Sequence, residues 1–266
     1  VTDAIFGAGL TEVEPGFFQG PAATDLNYDS ARSKHWEGAE LGSGWHRHRA
    51  EVLTDVMAEL PPGGTVYDLG GGNGFMSLAL VAAGHPAVPV EPVERGARAA
   101  FGRGLRPVVN ATLESAGFPD GSLPAVGMFD VLEHFEDDQA ILRQVHRALA
   151  PDGRLYLMVP KHQGLWSAHD VEAGHQRRYG KRGLREVVTE AGFVVERETS
   201  MFSVLLLPMV ARKVLRWRPR EGEAAAEVVD PTGNRFAAVL FAHERRSLRR
   251  RNRRTGTSLL LVARRG

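Results

Sequence analysis

The chain has 266 residues, 43% hydrophobic and 24% charged, which is long enough and apolar enough to bury a full core as one α/β domain. A net charge of +1 gives no global attraction to nucleic acid. The lack of cysteine excludes a disulfide framework, a thiolate nucleophile and a cysteine-ligated zinc.

Residues 1–42 are rich in Gly, Pro, Asp and Thr and carry the aromatics Phe17, Phe18, Tyr28 and Trp36. They are expected to form an arm or lid that orders over a ligand. Residues 45–60 read as an amphipathic helix stopped by Pro61 and Pro62. Residues 65–69 suit a buried parallel strand and 75–83 the helix that follows. Between them, Gly70, Gly71, Gly72, Asn73 and Gly74 form a turn that either lets the backbone approach a ligand closely or uses glycine for steric reasons alone. A second apolar segment, 87–90, ends at Glu91, about 20 residues downstream of Gly70. At that separation a βαβ unit presents an acid to both hydroxyls of a ribose.

Strands and helices alternate on to residue 159, the pattern of a doubly wound parallel sheet. Residues 181–191 suit a further helix, 193–199 a sixth strand and 258–263 a seventh. The stretch between those strands is less regular. Residues 202–210 are an apolar run too short to span a bilayer and lead into the cationic segment 211–218. Three roles stay open for it: a helix capping the active site, an interfacial helix that meets lipid, or a dimer contact. The tract Arg245, Arg246, Arg249, Arg250, Arg251, Arg253 and Arg254 could hold RNA phosphates or an anionic lipid surface, or form a solvated face paired with Glu221, Glu223, Glu227 and Asp230. No aromatic is interleaved with these arginines, which argues against single-stranded RNA.

The pattern Asp68-x-Gly70-x-Gly72-x-Gly74 resembles motif I of the class I S-adenosylmethionine (SAM)-dependent methyltransferases. A dinucleotide fingerprint would want a small residue where Phe75 stands, so NAD is the poorer match. Residues 118–122, 128–135 and 149–160 are similar, in order, to later motifs of that superfamily. Residues 165–170, 174–179 and 191–193 are similar to a subgroup acting on small molecules, lipids or sugars. The resemblance covers roughly residues 45–200. It implies a Rossmann-like seven-stranded sheet, mostly parallel with an antiparallel last strand, in a methyltransferase domain over 43–266 with a helical cap insertion at about 201–256. It also implies SAM as cofactor, S-adenosylhomocysteine as product and methylation of O, N or C on a small organic, biosynthetic-pathway acceptor. A peripheral enzyme methylating a lipid, quinone or lipid-linked sugar at a membrane surface is the alternative. A methyltransferase-like fold that binds SAM for another reaction or a binding role is a third. No nucleic-acid partner is expected, the oligomeric state is open, and with no visible signal peptide the expected compartment is the cytoplasm, where SAM is made.

The resemblance assigns Asp68 to organising the glycine loop or meeting the methionine amino group, and Gly70, Gly71, Gly72 and Gly74 to admitting the cofactor. Glu91 is expected to bind the ribose, Pro92 to pack on adenine, and Phe129 to offer its main-chain carbonyl to the methionyl ammonium. Residues 108–112 lack the family's usual acid, so the adenine amino group falls to Asn110 or a backbone group. Arg49 either pairs with the SAM carboxylate or is a surface arginine.

A sulfonium methyl is already electrophilic, so the protein mainly has to hold the acceptor in line and exclude water. An acceptor that must lose a proton also needs a base, and His134, His169 and His175 are the candidates. His134 follows strand 125–128, where open α/β sheets present ligands, and is equally suited to lining the cofactor pocket. His169, Asp170 and His175 could instead order the rim by hydrogen bonds or hold a metal; they lack an obvious third protein ligand, and no metal is expected. Tyr28, Trp36, Trp166, Arg178 and Tyr179 are the expected acceptor contacts. For Arg177 and Arg178 the alternative is pairing with acids, and for Tyr179 it is the core.

Overall fold

The computed structural model describes residues 5–21, 44–214 and 235–266. Tyr28, Trp36, most of the expected arm and the acids Glu221, Glu223, Glu227 and Asp230 lie outside the described residues.

Strands β1 (Thr11–Glu14) and β2 (Phe17–Gln19) precede helix α1 (Gly44–Glu59). The alternating unit then runs β3 (Val66–Leu69), α2 (Phe75–Ala82), β4 (Ala87–Val90), α3 (Glu94–Gly102), β5 (Val108–Asn110), α4 (Leu113–Ala116) and β6 (Leu123–Phe129). It continues through α5 (Asp138–Ala148), β7 (Leu149–Pro160), α6 (Ala168–Ala173), α7 (Lys181–Glu190) and β8 (Phe193–Met201), then α8 (Ser203–Val214), α9 (Arg235–Leu248) and β9 (Ser258–Arg265).

The strand order is β1-β2-β5-β4-β3-β6-β7-β9-β8. β3 lies at the centre, parallel to β4 and β6, and its four residues are all buried, because helices cover both faces of such a sheet. The period-2 alternation of a strand sorts its side chains. Tyr67, Val126, Leu157 and Leu261 enter one core layer, with α5 and α7, while Val66, Ala125, Met158 and Leu260 enter the other, with α1, α2 and α9. From β3 the chain proceeds outward first through β4 and β5 and then, on the other side, through β6 and β7. That reversal opens a crevice at the carboxyl ends of β3, β4 and β6.

β9 is antiparallel to β7 and β8, as expected of the last strand, but among the described residues nine strands stand where seven were expected. The two additional strands come from the segment expected as an arm. β1 and β2 form an antiparallel hairpin, and β2 pairs in parallel with β5 through Phe17 and Val108. Phe17 is fully buried with Ala97, Ala100 and Leu105, and the Arg98 guanidinium lies over its ring at 4.0 Å. Residues 11–19 are thus sheet edge, because burying one aromatic contributes on the order of 2–3 kcal/mol that a detached arm would forgo.

The expected cap insertion packs on α1. Phe202, Phe241 and Leu248 share the layer of Leu53 and Met57. Buried Glu244 accepts hydrogen bonds from the Phe202 N–H at 2.8 Å, the Ser203 N–H at 2.7 Å and His48 Nε2 at 2.9 Å, tying α9 to α1 and to the start of α8. In the basic tract, Arg245 and Arg249 both hold Asp55, at 2.6 Å each, and Arg245 reaches Glu51 at 2.9 Å. These two arginines are ion-paired as one alternative had it, with acids of α1 as partners. No helix among the described residues is long and apolar enough to cross a membrane.

Candidate functional site

The carboxyl ends of β3 and β4 hold the first half of the site. In the glycine loop, Gly70, Gly72 and Gly74 all have positive φ, but a side chain would meet different surroundings at each. At Gly74 a Cβ would collide with Leu105 and Ala100, at Gly70 with Val131 and at Gly71 with Pro89, so packing within the chain explains those three. At Gly72, φ +53°, a Cβ would meet nothing within 4 Å. Packing accounts for the others, whereas Gly72 borders open space, as a loop that receives a ligand would.

Glu91 is buried beside this loop. Its Oε2 accepts the Gly72 N–H and its Oε1 the Val93 N–H, each at 2.8 Å, and burial raises its pKa. Asp68 accepts the Ser77 hydroxyl at 2.7 Å, which fastens β3 to the first turn of α2. Burial pushes its pKa up to about 7 against the lowering by Ser77, and the Glu91 charge adds to the rise. Asn110 on β5 donates its amide to the Glu91 carbonyl at 2.8 Å and the Pro92 carbonyl at 3.1 Å, so it shapes the turn in which Pro92 stands.

The second half lies beyond β6 and β7. Phe129 is buried at the end of β6, and Asp130 follows it in the left-handed region, φ +58°, a strained conformation for a residue with a side chain. Arg49 is buried rather than on the surface. Its Nη1 pairs with Asp130 at 2.5 Å and its guanidinium covers the Trp45 ring at 4.3 Å. A 3₁₀ turn, Leu132–His134, then brings Glu133 and His134 to the rim. The His134 ring meets that of His175 edge-on, 4.9 Å between centroids, and His169 on α6 lies 6.3 Å from His175.

Two expected acceptor contacts take their structural alternatives. Arg178 is a bidentate clamp on Asp170, at 2.7 and 2.9 Å, which leaves its fork committed within the chain. Tyr179 is core, and its hydroxyl donates to Asp138 at 2.9 Å; Arg177 binds the same carboxylate at 3.0 Å. Trp166 is half-buried, and its carbonyl accepts from Lys213 of α8 at 3.3 Å. Asp130 and Glu133 were not anticipated as site residues. An acid directly after an apolar strand was the available signal for Asp130, while Glu133, between Leu132 and His134, carried none of its own.

A sheet of this order, with a glycine loop at the end of its central strand and an acid at the end of the next, is the Rossmann-like arrangement that receives nucleotide-type ligands at its switch point. Residues 45–198 match the methyltransferase domain family, and the chain belongs to it. The matched domain is that of the class I SAM-dependent methyltransferase superfamily. An uncharacterized methyltransferase of a Mycobacterium species is 33% identical over 46% of this chain and 50% of its own length, so the chain spans about half of that relative. The 27-O-demethylrifamycin SV methyltransferase of Amycolatopsis mediterranei is 30% identical over 52% of this chain and 54% of its own. Among solved structures, a Haloferax volcanii methyltransferase in complex with the Trm112 activator superposes with a TM-score of 0.58 at 17% identity, over 88% of this chain and 96% of that one. Phosphoethanolamine N-methyltransferase 2 of Haemonchus contortus, with phosphomonomethylethanolamine and S-adenosylhomocysteine, gives 0.54 at 15%, over 88% and 57%.

Proposed function

We propose that this enzyme methylates O, N or C of a small organic acceptor held at the carboxyl-terminal rim of the sheet. The observation that carries the reading is the imidazole cluster His134, His169 and His175 just beyond the glycine loop, a place for taking a proton from a small acceptor. The rifamycin-type relative, named for a methyl transfer to oxygen of a small molecule, supports it.

The residues fit SAM. Gly72 borders open space, Glu91 is fixed by backbone donors next to it for the ribose, and Asp68 stands at the root of the loop. Pro92, in a turn shaped by Asn110, serves the adenine, and the Phe129 carbonyl and Arg49 serve the methionine end. When bound, SAM supplies an electrophilic methyl. The chain's own work is to orient the acceptor and keep water out. For an acceptor that loses a proton, His134 is neutral and able to accept, since burial and the charge of His175 push its pKa down to about 4. That value makes it a weak base at neutral pH; burial and His175 lower the pKa of His169 as well, so each would act as a neutral imidazole.

Incubation with labelled SAM and a panel of phenols, amines and hydroxylated acids should release S-adenosylhomocysteine with a methylated acceptor. His169→Ala should then slow transfer by about 10²–10⁴ without changing SAM affinity. A second reading, a peripheral enzyme acting on a lipid-linked acceptor, is supported by α8, where Leu207 is 78% and Val214 74% exposed beside Lys213. Turnover confined to vesicle-borne acceptors, with co-sedimentation, would select it over the first.

A further inference from the structure

Beside the imidazole cluster, the rim contains a buried carboxylate to which the proposed methyl transfer gives no role. Glu133 is 0% exposed, and neither of its carboxylate oxygens has a hydrogen-bond partner from any other described residue. A buried carboxylate left so is costly unless a cation or a proton satisfies it. His175 Nε2 faces Glu133 Oε1 at 3.9 Å. The other ring nitrogen of His175, Nδ1, lies 3.0 Å from Asp170 Oδ1. Asp170 is itself clamped by Arg178, at 2.7 and 2.9 Å. With Nδ1 donating to Asp170, Nε2 is the ring nitrogen left facing Glu133.

A carboxylate that fixes one imidazole nitrogen so that the other points at a second carboxylate is the outer support usual behind a metal-bound histidine. One ligand atom each of Glu133, His134 and His175 lies within 4.8 Å of the others, and among the described residues this is the group of side chains with that property. The local charge also suits a cation: Asp130, Glu133 and Asp170 are faced by the two guanidiniums of Arg49 and Arg178. The backbone holds the two halves of the group in place, with the Gln176 N–H on the Glu133 carbonyl at 2.7 Å and the His175 N–H on the Asp170 carbonyl at 2.9 Å.

We propose that Glu133, His134 and His175 bind one divalent first-row transition-metal ion, with Asp170 as the residue that positions His175. Two imidazoles and one carboxylate suit zinc, cobalt or manganese better than calcium or magnesium, which prefer all-oxygen sites. Three protein ligands leave a further position for water or for an oxygen of the acceptor. This site stands apart from the choice of methyl acceptor, because its test needs neither SAM nor acceptor.

The full chain, freed of metal with a chelator, is titrated with Co²⁺ and followed by visible absorption, then with Zn²⁺ in competition. One equivalent of Co²⁺ should bind and be displaced by Zn²⁺, and either metal should raise the unfolding temperature. His175→Ala should weaken binding at least tenfold, and Asp170→Asn by about 10–100-fold, the usual loss on removing such an outer support. Glu133→Gln provides the folding control: without metal it should unfold at the wild-type temperature or above, since an unsatisfied buried charge has gone, and it should lose the metal-induced rise. No saturable binding by the wild type below about 1 mM Co²⁺ would overturn the site. So would binding that His175→Ala and Glu133→Gln leave unchanged.

Discussion

Glu91 shows how much of a site one carboxylate can organise. Both of its oxygens are held by backbone N–H groups, from Gly72 in the loop and Val93 in the next turn, so its position is set before any ligand arrives. In the proposed ribose role, replacing it by alanine would remove acceptors for both hydroxyls, each charge-assisted bond being worth about 1.5–3 kcal/mol. SAM affinity of Glu91→Ala, measured by calorimetry, should fall at least tenfold, and an unchanged affinity would remove the ribose assignment. Asp68 adds a pH test. Burial raises its pKa to about 7, so it is largely protonated below that pH and ionised above it. If it meets the methionyl ammonium, binding favours the ionised form. Affinity should then rise as pH increases from 6 towards 8, with proton release below pH 7 visible as a buffer-dependent heat. The position of Glu91, at the tip of β4 beside the loop, was legible because strand, loop and acid recur at a fixed spacing in a βαβ unit. Glu133 was not, since nothing in a Leu-Glu-His triplet tells that a 3₁₀ turn will bury the middle side chain.

At the scale of elements, β3, α2 and β4 follow from apolar periodicity, and the structure has them within a residue of where the pattern placed them. The cap is different, because α9 depends on a long-range polar anchor. Burial would raise the pKa of Glu244, but hydrogen bonds from His48 and Ser203 outweigh it and hold the carboxyl below its ordinary value. A group so depressed contributes stability that is present above the unfolded pKa of about 4.5 and lost as pH falls through the lower folded value. Glu244→Ala should therefore cost about 3–5 kcal/mol at neutral pH, the usual penalty for breaking a buried pair and leaving its partners unmet. Denaturant unfolding at pH 7 and again near pH 3 measures this, and the difference between variant and wild type should shrink at the lower pH. The partners are His48 and Glu244, 196 residues apart, a separation over which no local pattern in the sequence could announce them.

Across the whole molecule, the hairpin of β1 and β2 links the far edge of the sheet to the cofactor crevice. It was invisible as structure because its strands have only four and three residues, and β1 is exposed throughout, so neither shows a buried periodicity of useful length. Its most deeply buried anchor is Phe17, seated against Ala97, Ala100 and Leu105. β2 covers the open side of β5, which would otherwise be an unpaired edge, and the Gly20 N–H bonds the Asn110 carbonyl at 3.0 Å. Asn110 in turn holds the Glu91 and Pro92 carbonyls, so the edge is connected to the proposed ribose and adenine positions by an unbroken run of hydrogen bonds. Phe17→Ala should cost about 3–5 kcal/mol of stability, as large-to-small changes of buried aromatics do. If the connection carries order into the crevice, SAM affinity should fall along with it, and hydrogen exchange should quicken at residues 91–93 as well as in the hairpin. Lost stability with unaltered SAM affinity would reduce the hairpin to a cover for the sheet edge.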